Sequence, residues 1–172
     1  MVRRTEPGRP AAATRPAAAW SVLASVMDPE IPVLSVVDLG IVRDLTTADG
    51  AIDVDLAPTY TGCPAVDVIE RDVAAALAAH GFDPVRIRRV LAPPWTTDWI
   101  SAAGRRKLRD YGIAPPPAAG SKRHLLAADR PAACPHCRST DTSRTSEFGS
   151  TPCKAAWRCN ACREPFEYFK CI

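Results

Sequence analysis

The strongest constraint on this chain lies in its tail. "CPHC" at Cys134–Cys137 and "CNAC" at Cys159–Cys162 are two C-x2-C pairs. Two residues between cysteines let both sulfurs of a tight turn point at one ion, and two such turns complete a tetrahedral shell of thiolates. The intervening residues 138–158 run just past the usual zinc-ribbon length of about 15–20 residues, a small excess that a connecting hairpin absorbs. So small a region cannot hold itself together by burial alone, so the metal should supply its folding free energy. Zinc is the expected ion. An iron–sulfur cluster is the alternative, because Cys153, Cys159 and Cys162 approach a ferredoxin-type run but miss its spacing. Arg138 and Arg163 follow the second cysteine of each pair, where such turns often need positive φ. His136 reads as a bystander beside four thiolates. Cys153 and Cys171 are left over, as apolar packing or as accessory thiols that handle metal.

The rest of the chain reads as a small α/β body. Residues 1–15, rich in Arg, Pro and Ala, are expected to be disordered. A helix follows from about Pro16 to Met27, its apolar face made of Trp20, Leu23, Ala24 and Met27. Ile41–Thr46 and Ala51–Ala57 form a hairpin about Asp49–Gly50, with Asp53 and Asp55 on the wet face. A second helix is expected from Pro64 to about His80, striped by Val66, Ile69, Val73, Ala76 and Leu77 and stopped by Gly81. Val85–Leu91 is a third strand, and a helix capped by Thr96 or Thr97 runs to about Asp110. The order α-β-β-α-β-α over residues 16–112, a linker over 113–133 and a zinc-ribbon-like β domain over 134–172 make an α+β protein.

Charge excludes more than it identifies. The net charge of +3 is too weak to argue for nucleic acid, although residues 17–120 are acidic on balance and residues 121–172 basic. No run approaches the length of a membrane helix, and the Arg pair near the start is not followed by the apolar core of a signal. The chain is therefore expected in the cytoplasm, where thiols stay reduced and seven cysteines point to metal or thiol chemistry.

One cysteine stands apart. Cys63, in "TYTGCPAVD", is the only cysteine in the first 133 residues. Gly62 and Pro64 place it at an expected helix start, where free N–H groups favour a thiolate. Packing beneath the hairpin is the plainer alternative. The surrounding segments, "DPEIPVLSVVDLGIV" at 28–42, "PTYTGCPA" at 58–65 and "PPWTTDWI" at 93–100, resemble in order and spacing a family of iron–sulfur assembly factors, the MIP18/DUF59 domain. Thr59 and Cys63-Pro64 match its Thr-x-x-x-Cys-Pro motif, and the resemblance covers about residues 16–112. The tail, "CPHC" followed by "SEFGSTPCKAAWRCNACREPFEYFKCI", is similar to that of the PaaD family of phenylacetate degradation, which joins such a domain to a cysteine-rich tail.

The resemblance implies an MIP18-like fold and an accessory role beside the multicomponent phenylacetyl-CoA epoxidase. The client would be an iron or iron–sulfur centre, that of the [2Fe–2S] reductase first among them. Cys63 would hold or pass iron or a nascent cluster, with Thr59 and Thr61 donating hydrogen bonds, and Asp28, Glu30 and Asp38 near the same region. If Cys63 binds iron, its other ligands must come from a second protomer in a homodimer, from Cys153 or Cys171, or from the client. Phe148, Phe166, Tyr168 and Phe169 would dock the client or fill the ribbon's core. No catalytic residue is assigned: the chain has neither the Glu-x-x-His pairs of a di-iron oxygenase nor a phosphate-binding loop. A non-catalytic structural subunit of the epoxidase, with the ribbon as interface, is the second reading, and a thiol-redox protein the third.

Overall fold

The computed structural model describes residues 15–60, 62–117 and 131–170. The expected disordered extension, Arg15 apart, most of the expected linker, and Thr61 and Cys171 lie outside the described residues. The order of elements is α1 (Arg15–Leu23), β1 (Val42–Ala48), β2 (Ala51–Leu56), α2 (Val66–Ala79), β3 (Val85–Arg89), α3 (Ala102–Asp110), β4 (Ile113–Ala114), β5 (Thr142–Ser146), β6 (Lys154–Cys159) and β7 (Pro165–Phe169), with a 3-10 turn at Thr97–Trp99 before α3.

The first sheet has the order β1-β2-β3, with β1 antiparallel and β3 parallel to β2. Asp49 and Gly50, both at positive φ, close the hairpin, as the twist of a tight two-residue connection requires. Ile52, Val54 and Leu56 are buried, while Asp53 and Asp55 meet Arg86 and Arg88 one strand over, at 2.8 and 2.7 Å. These pairs are exposed and set register more than stability. Val66, Ile69, Val73 and Leu77 of α2 are buried, as their helical spacing predicts.

The first helix is shorter than its periodicity suggests. It ends at Leu23 and buries Ala19, Val22 and Leu23, while Ala24 and Met27 are exposed. Beyond it the chain folds back, so that Asp28 N–H donates to the Leu34 carbonyl and Val36 N–H to that of Val26. Asp28 then caps its own turn, accepting from the N–H groups of Glu30 and Ile31 at 2.9 and 2.8 Å.

Asp38 ties this loop to α3. Its carboxylate accepts from the Ser35 N–H and hydroxyl, from Ser101 Oγ at 3.0 Å and from Lys107 Nζ at 2.6 Å. Ser101, not Thr96 or Thr97, caps α3, accepting from Gly104 N–H at 2.8 Å; Thr96 caps only the 3-10 turn. Gly40 has φ +69, and a Cβ there would lie 2.5 Å from the Trp99 carbonyl oxygen. The Asp-Leu-Gly and Trp-Thr-Thr-Asp-Trp segments are thus two sides of one contact. Trp95 completes it by donating from Nε1 to the Leu39 carbonyl at 3.0 Å.

The second sheet has the order β4-β7-β6-β5. Ile113 and Ala114, assigned by sequence to the linker, form its parallel edge strand β4 beside Glu167 and Tyr168. Phe169, 1% exposed, ends β7 in this sheet and packs its ring against Trp95, with ring centroids 6.1 Å apart. Ile113, Cys153 and Phe169 therefore share the core of the first domain. Trp157 and Phe166 form a smaller core beneath the cysteine pairs. Among the aromatics expected at a docking face, Phe166 and Phe169 point inward and Tyr168 is half-buried against Trp157. Phe148 is exposed, with the Lys170 ammonium 4.5 Å from its ring.

Two outcomes follow from the loop around Asp38. Gly40→Ala should cost about 2–4 kcal/mol, because both the positive φ and the Trp99 contact oppose a side chain; chemical denaturation measures it. Burial works against the Asp38 charge, but its hydrogen bonds from Lys107, Ser101 and Ser35 together outweigh burial and hold its carboxyl below the usual 3.8. Its contribution is then present above that ordinary value and lost as pH falls through the depressed one. Asp38→Asn should be destabilised by about 2–4 kcal/mol at neutral pH, with the gap to wild type closing in strong acid.

Candidate metal centre and thiol pocket

The sulfurs of Cys134, Cys137, Cys159 and Cys162 converge, all within 4.8 Å of one another. The first knuckle closes when Arg138 N–H donates to the Cys134 carbonyl at 2.9 Å; Arg138 and Arg163 both take positive φ, at 66° and 67°. The second knuckle begins where β6 ends, so Cys159 is placed by the sheet itself. Cys134 and Cys162 sulfurs lie 3.7 Å apart, those of Cys137 and Cys159 3.5 Å apart. Four sulfurs at about 2.3 Å from one ion sit roughly 3.8 Å from each other, so the set fits a single tetrahedral metal. The Cys162 N–H points at the Cys159 sulfur, at 3.5 Å, and is the first cause of a Cys159 thiol pulled down to about 7. His136 is exposed and stands outside the four-sulfur group.

Cys63 lies elsewhere, in a pocket between the loops and α2 of the first domain and one end of the second sheet. Asp28, Glu30, Thr59, Cys63 and the α2 residues Val66 and Ile69 line it from the first domain; Cys153 and Phe169 line it from the second. The expectation of a thiolate at a helix start needs correction. The helix begins at Val66, and Pro64 and Ala65 form a turn ahead of it. The nearby Ala65 N–H and Thr59 hydroxyl favour a charge on the Cys63 sulfur. Burial outweighs them, and the nearby Glu30 and Asp28 add to it, so the thiol is pushed up.

The same pressure acts on every acid in the pocket. Burial is the first cause in each case: it raises Asp28 despite two N–H donors, raises Glu30 with help from Asp28, and raises Cys153 despite the Thr151 hydroxyl 3.0 Å from its sulfur. Lys154, buried beside them, is paired to Glu167 at 2.8 Å. Four acids thus face one small space, and Lys154 offsets the charge of Asp28, Glu30 and Cys153 without overcoming burial. The linear chain offers Cys153 as one of several possible partners of Cys63, with Cys171, a second protomer and the client, and gives no sign of Thr151 or Lys154 beside it. Phe169, expected at a docking face or in the ribbon's core, instead closes this pocket. The available signal was a cysteine in the metal-binding tail that the two pairs do not use.

No helix among the described residues is long and apolar enough to cross a membrane. Residues 16–83 match a family described as an iron–sulfur cluster assembly protein, and residues 118–170 one described as the PaaD zinc beta ribbon domain. The chain is 46% identical to a putative 1,2-phenylacetyl-CoA epoxidase subunit of Escherichia coli (strain K12), over 89% of this chain and 91% of that protein. It is 38% identical to an Fe-S protein maturation auxiliary factor of Porphyromonas gingivalis, over 46% of this chain and 77% of that one. Among solved structures, a domain of unknown function DUF59 from Bacillus anthracis aligns with a TM-score of 0.51 at 26% identity, covering 54% of this chain and 90% of that one. The chain therefore belongs to the PaaD family of 1,2-phenylacetyl-CoA epoxidase components, in which an iron–sulfur assembly domain is joined to a zinc ribbon.

Proposed function

We propose that this chain is an accessory protein of aerobic phenylacetate degradation that matures iron or iron–sulfur centres of the phenylacetyl-CoA epoxidase, its client being the [2Fe–2S] reductase. The observation that carries the reading is the Cys63 pocket. It sits in an iron–sulfur assembly domain, holds a thiol whose charge the nearby Ala65 N–H and Thr59 hydroxyl favour, and is roofed by the ribbon that distinguishes the epoxidase family. The thiol is held protonated until a cation arrives, a state suited to accepting and releasing metal rather than retaining it.

The tail site is read as zinc. Four thiolates crowded about one centre suit a closed structural ion, and zinc brings no redox chemistry to it. Its work is to fold β5, β6 and β7, and through them to hold Cys153 and Phe169 over the pocket. The chain then acts in the cytoplasm as a maturation factor, not as an enzyme.

Two experiments test these statements. The epoxidase components are co-expressed with wild-type protein or with Cys63→Ser, and iron and acid-labile sulfide are measured in the purified reductase. The mutant should leave the reductase depleted. Full cluster content would reject the transfer role, and stoichiometric co-purification with the oxygenase would favour a structural subunit instead. Elemental analysis should find about one zinc per chain, and stripping it should unfold the second sheet and raise the alkylation rate of Cys63, mapped by mass spectrometry. In the intact protein that rate should stay low at neutral pH and climb only as pH passes above the ordinary thiol value of 9.0, since the folded Cys63 pKa is raised.

A further inference from the structure

We infer that Cys63 and Cys153, together with Glu30, form a second metal site that binds a single ferrous ion across the seam between the two domains. The inference rests on the maturation reading above and gives it a ligand set.

Three observations point to an ion. The first is convergence. Cys63 precedes α2, Glu30 sits in the loop after α1, and Cys153 immediately precedes β6, yet all three line one pocket. Cys153 Sγ lies 4.0 Å from Glu30 Oε2. A thiolate and a carboxylate oxygen bound to one ion sit roughly 3.6 Å apart, so a few tenths of an ångström bring these two donors to bonding distance. Cys63 lines the same pocket but does not stand in a close three-donor group with them, as the four tail sulfurs do with one another, so its side chain must close on the ion as it binds.

The second is size. The pocket holds about 10 Å³, space for one water-sized guest. Its walls beyond the polar groups include Ile31, Leu39, Ile69 and Phe169. A single ion fits such a space. Two soft sulfurs and one carboxylate suit a divalent ion between hard and soft, and the ion delivered to an iron centre is iron.

The third is unbalanced acidity. Asp28, Glu30, Cys63 and Cys153 face the space together, and Tyr60, whose hydroxyl is near Cys63, feels their charge too. Lys154, the buried cation nearby, is paired with Glu167 and offsets the charge of Asp28, Glu30 and Cys153 only in part, since burial still leaves all three raised. Asp28 already accepts two backbone N–H groups through Oδ1, so its place is that of a neighbour orienting the Glu30 loop rather than a ligand. A bound cation would displace the thiol protons and relieve the mutual repulsion of the rest. Two thiols and one carboxylate leave a coordination position open, which a client cysteine could take as the ion is handed over.

The test uses the full chain, with its tail site first saturated with zinc, and cobalt(II) as an optical probe. Only one equivalent of zinc is added, which the four-thiolate site takes first and cobalt does not displace there, so added cobalt reports the second site. Wild type should take up one further equivalent with sulfur-to-cobalt charge transfer of two-thiolate intensity, and excess anaerobic ferrous iron should raise the cobalt concentration needed to fill the site. Cys63→Ser and Cys153→Ser should each weaken binding by at least ~10-fold and halve the band; Glu30→Gln should weaken it while leaving both sulfur contributions. Because Cys153 is buried, Cys153→Ala is measured alongside to separate ligand loss from misfolding. Absence of a second equivalent in wild type, a one-thiolate spectrum, or unchanged binding in folded Cys153 variants would overturn the site. Unchanged binding in Cys153 variants, with the reductase still depleted by Cys63→Ser, would remove this ligand set and leave maturation standing. A two-thiolate site with a fully loaded reductase in Cys63→Ser would keep the site and remove maturation.

Discussion

Phe169 against Trp95 is the contact on which the rest of the molecule depends. It is the last residue of the ribbon's central strand pair, and it is buried not in the ribbon but in the core of the assembly domain. A buried phenylalanine of this kind is worth about 3–5 kcal/mol to a fold. Around it β4 extends the ribbon's sheet with residues that directly follow α3, so the two domains share both a sheet edge and a core. The four-cysteine centre and the Cys63 pocket are therefore mechanically linked. The tail's cysteine pairs hold β6 and β7, and those strands hold the roof of the pocket.

The pocket sets two familiar effects against each other. Backbone N–H groups near a helix start favour a thiolate, and the Ala65 N–H acts in that direction on Cys63. Burial and two carboxylates act in the other direction and win, because the roof contributed by the second domain removes water that would otherwise screen them. A domain of this kind without its ribbon would expose the thiol and lower the penalty. The ribbon is thus part of the chemistry of Cys63, and not only a surface for partners.

Much of this is legible in the linear chain. The four-cysteine centre follows from two short spacings, because a C-x2-C turn is local and its geometry travels with it. The left-handed turns at Arg138 and Arg163 follow for the same reason. The amphipathic α2 and the Asp49–Gly50 hairpin are equally local. The start of α2 is harder to place, because Pro64 suits the first turn of a helix and also suits the turn before it. Periodicity alone draws α1 too long, because Ala24 and Met27 continue its spacing, whereas the hydrogen bonds of the Asp28 loop end it.

Sequence alone determined which residues could bind metal, since thiols, carboxylates and their local spacing are written in the chain. Only the tertiary structure decided which of them share a site. Cys63 and Cys153 are separated by two helices, several strands and a linker, and no local rule relates them. They meet because Phe169 and Ile113 bury their apolar surface in the first domain and carry the ribbon with them. Burial is non-directional and long-range in sequence, so the partnership it creates, and the raised thiols that result, belong to the folded molecule alone.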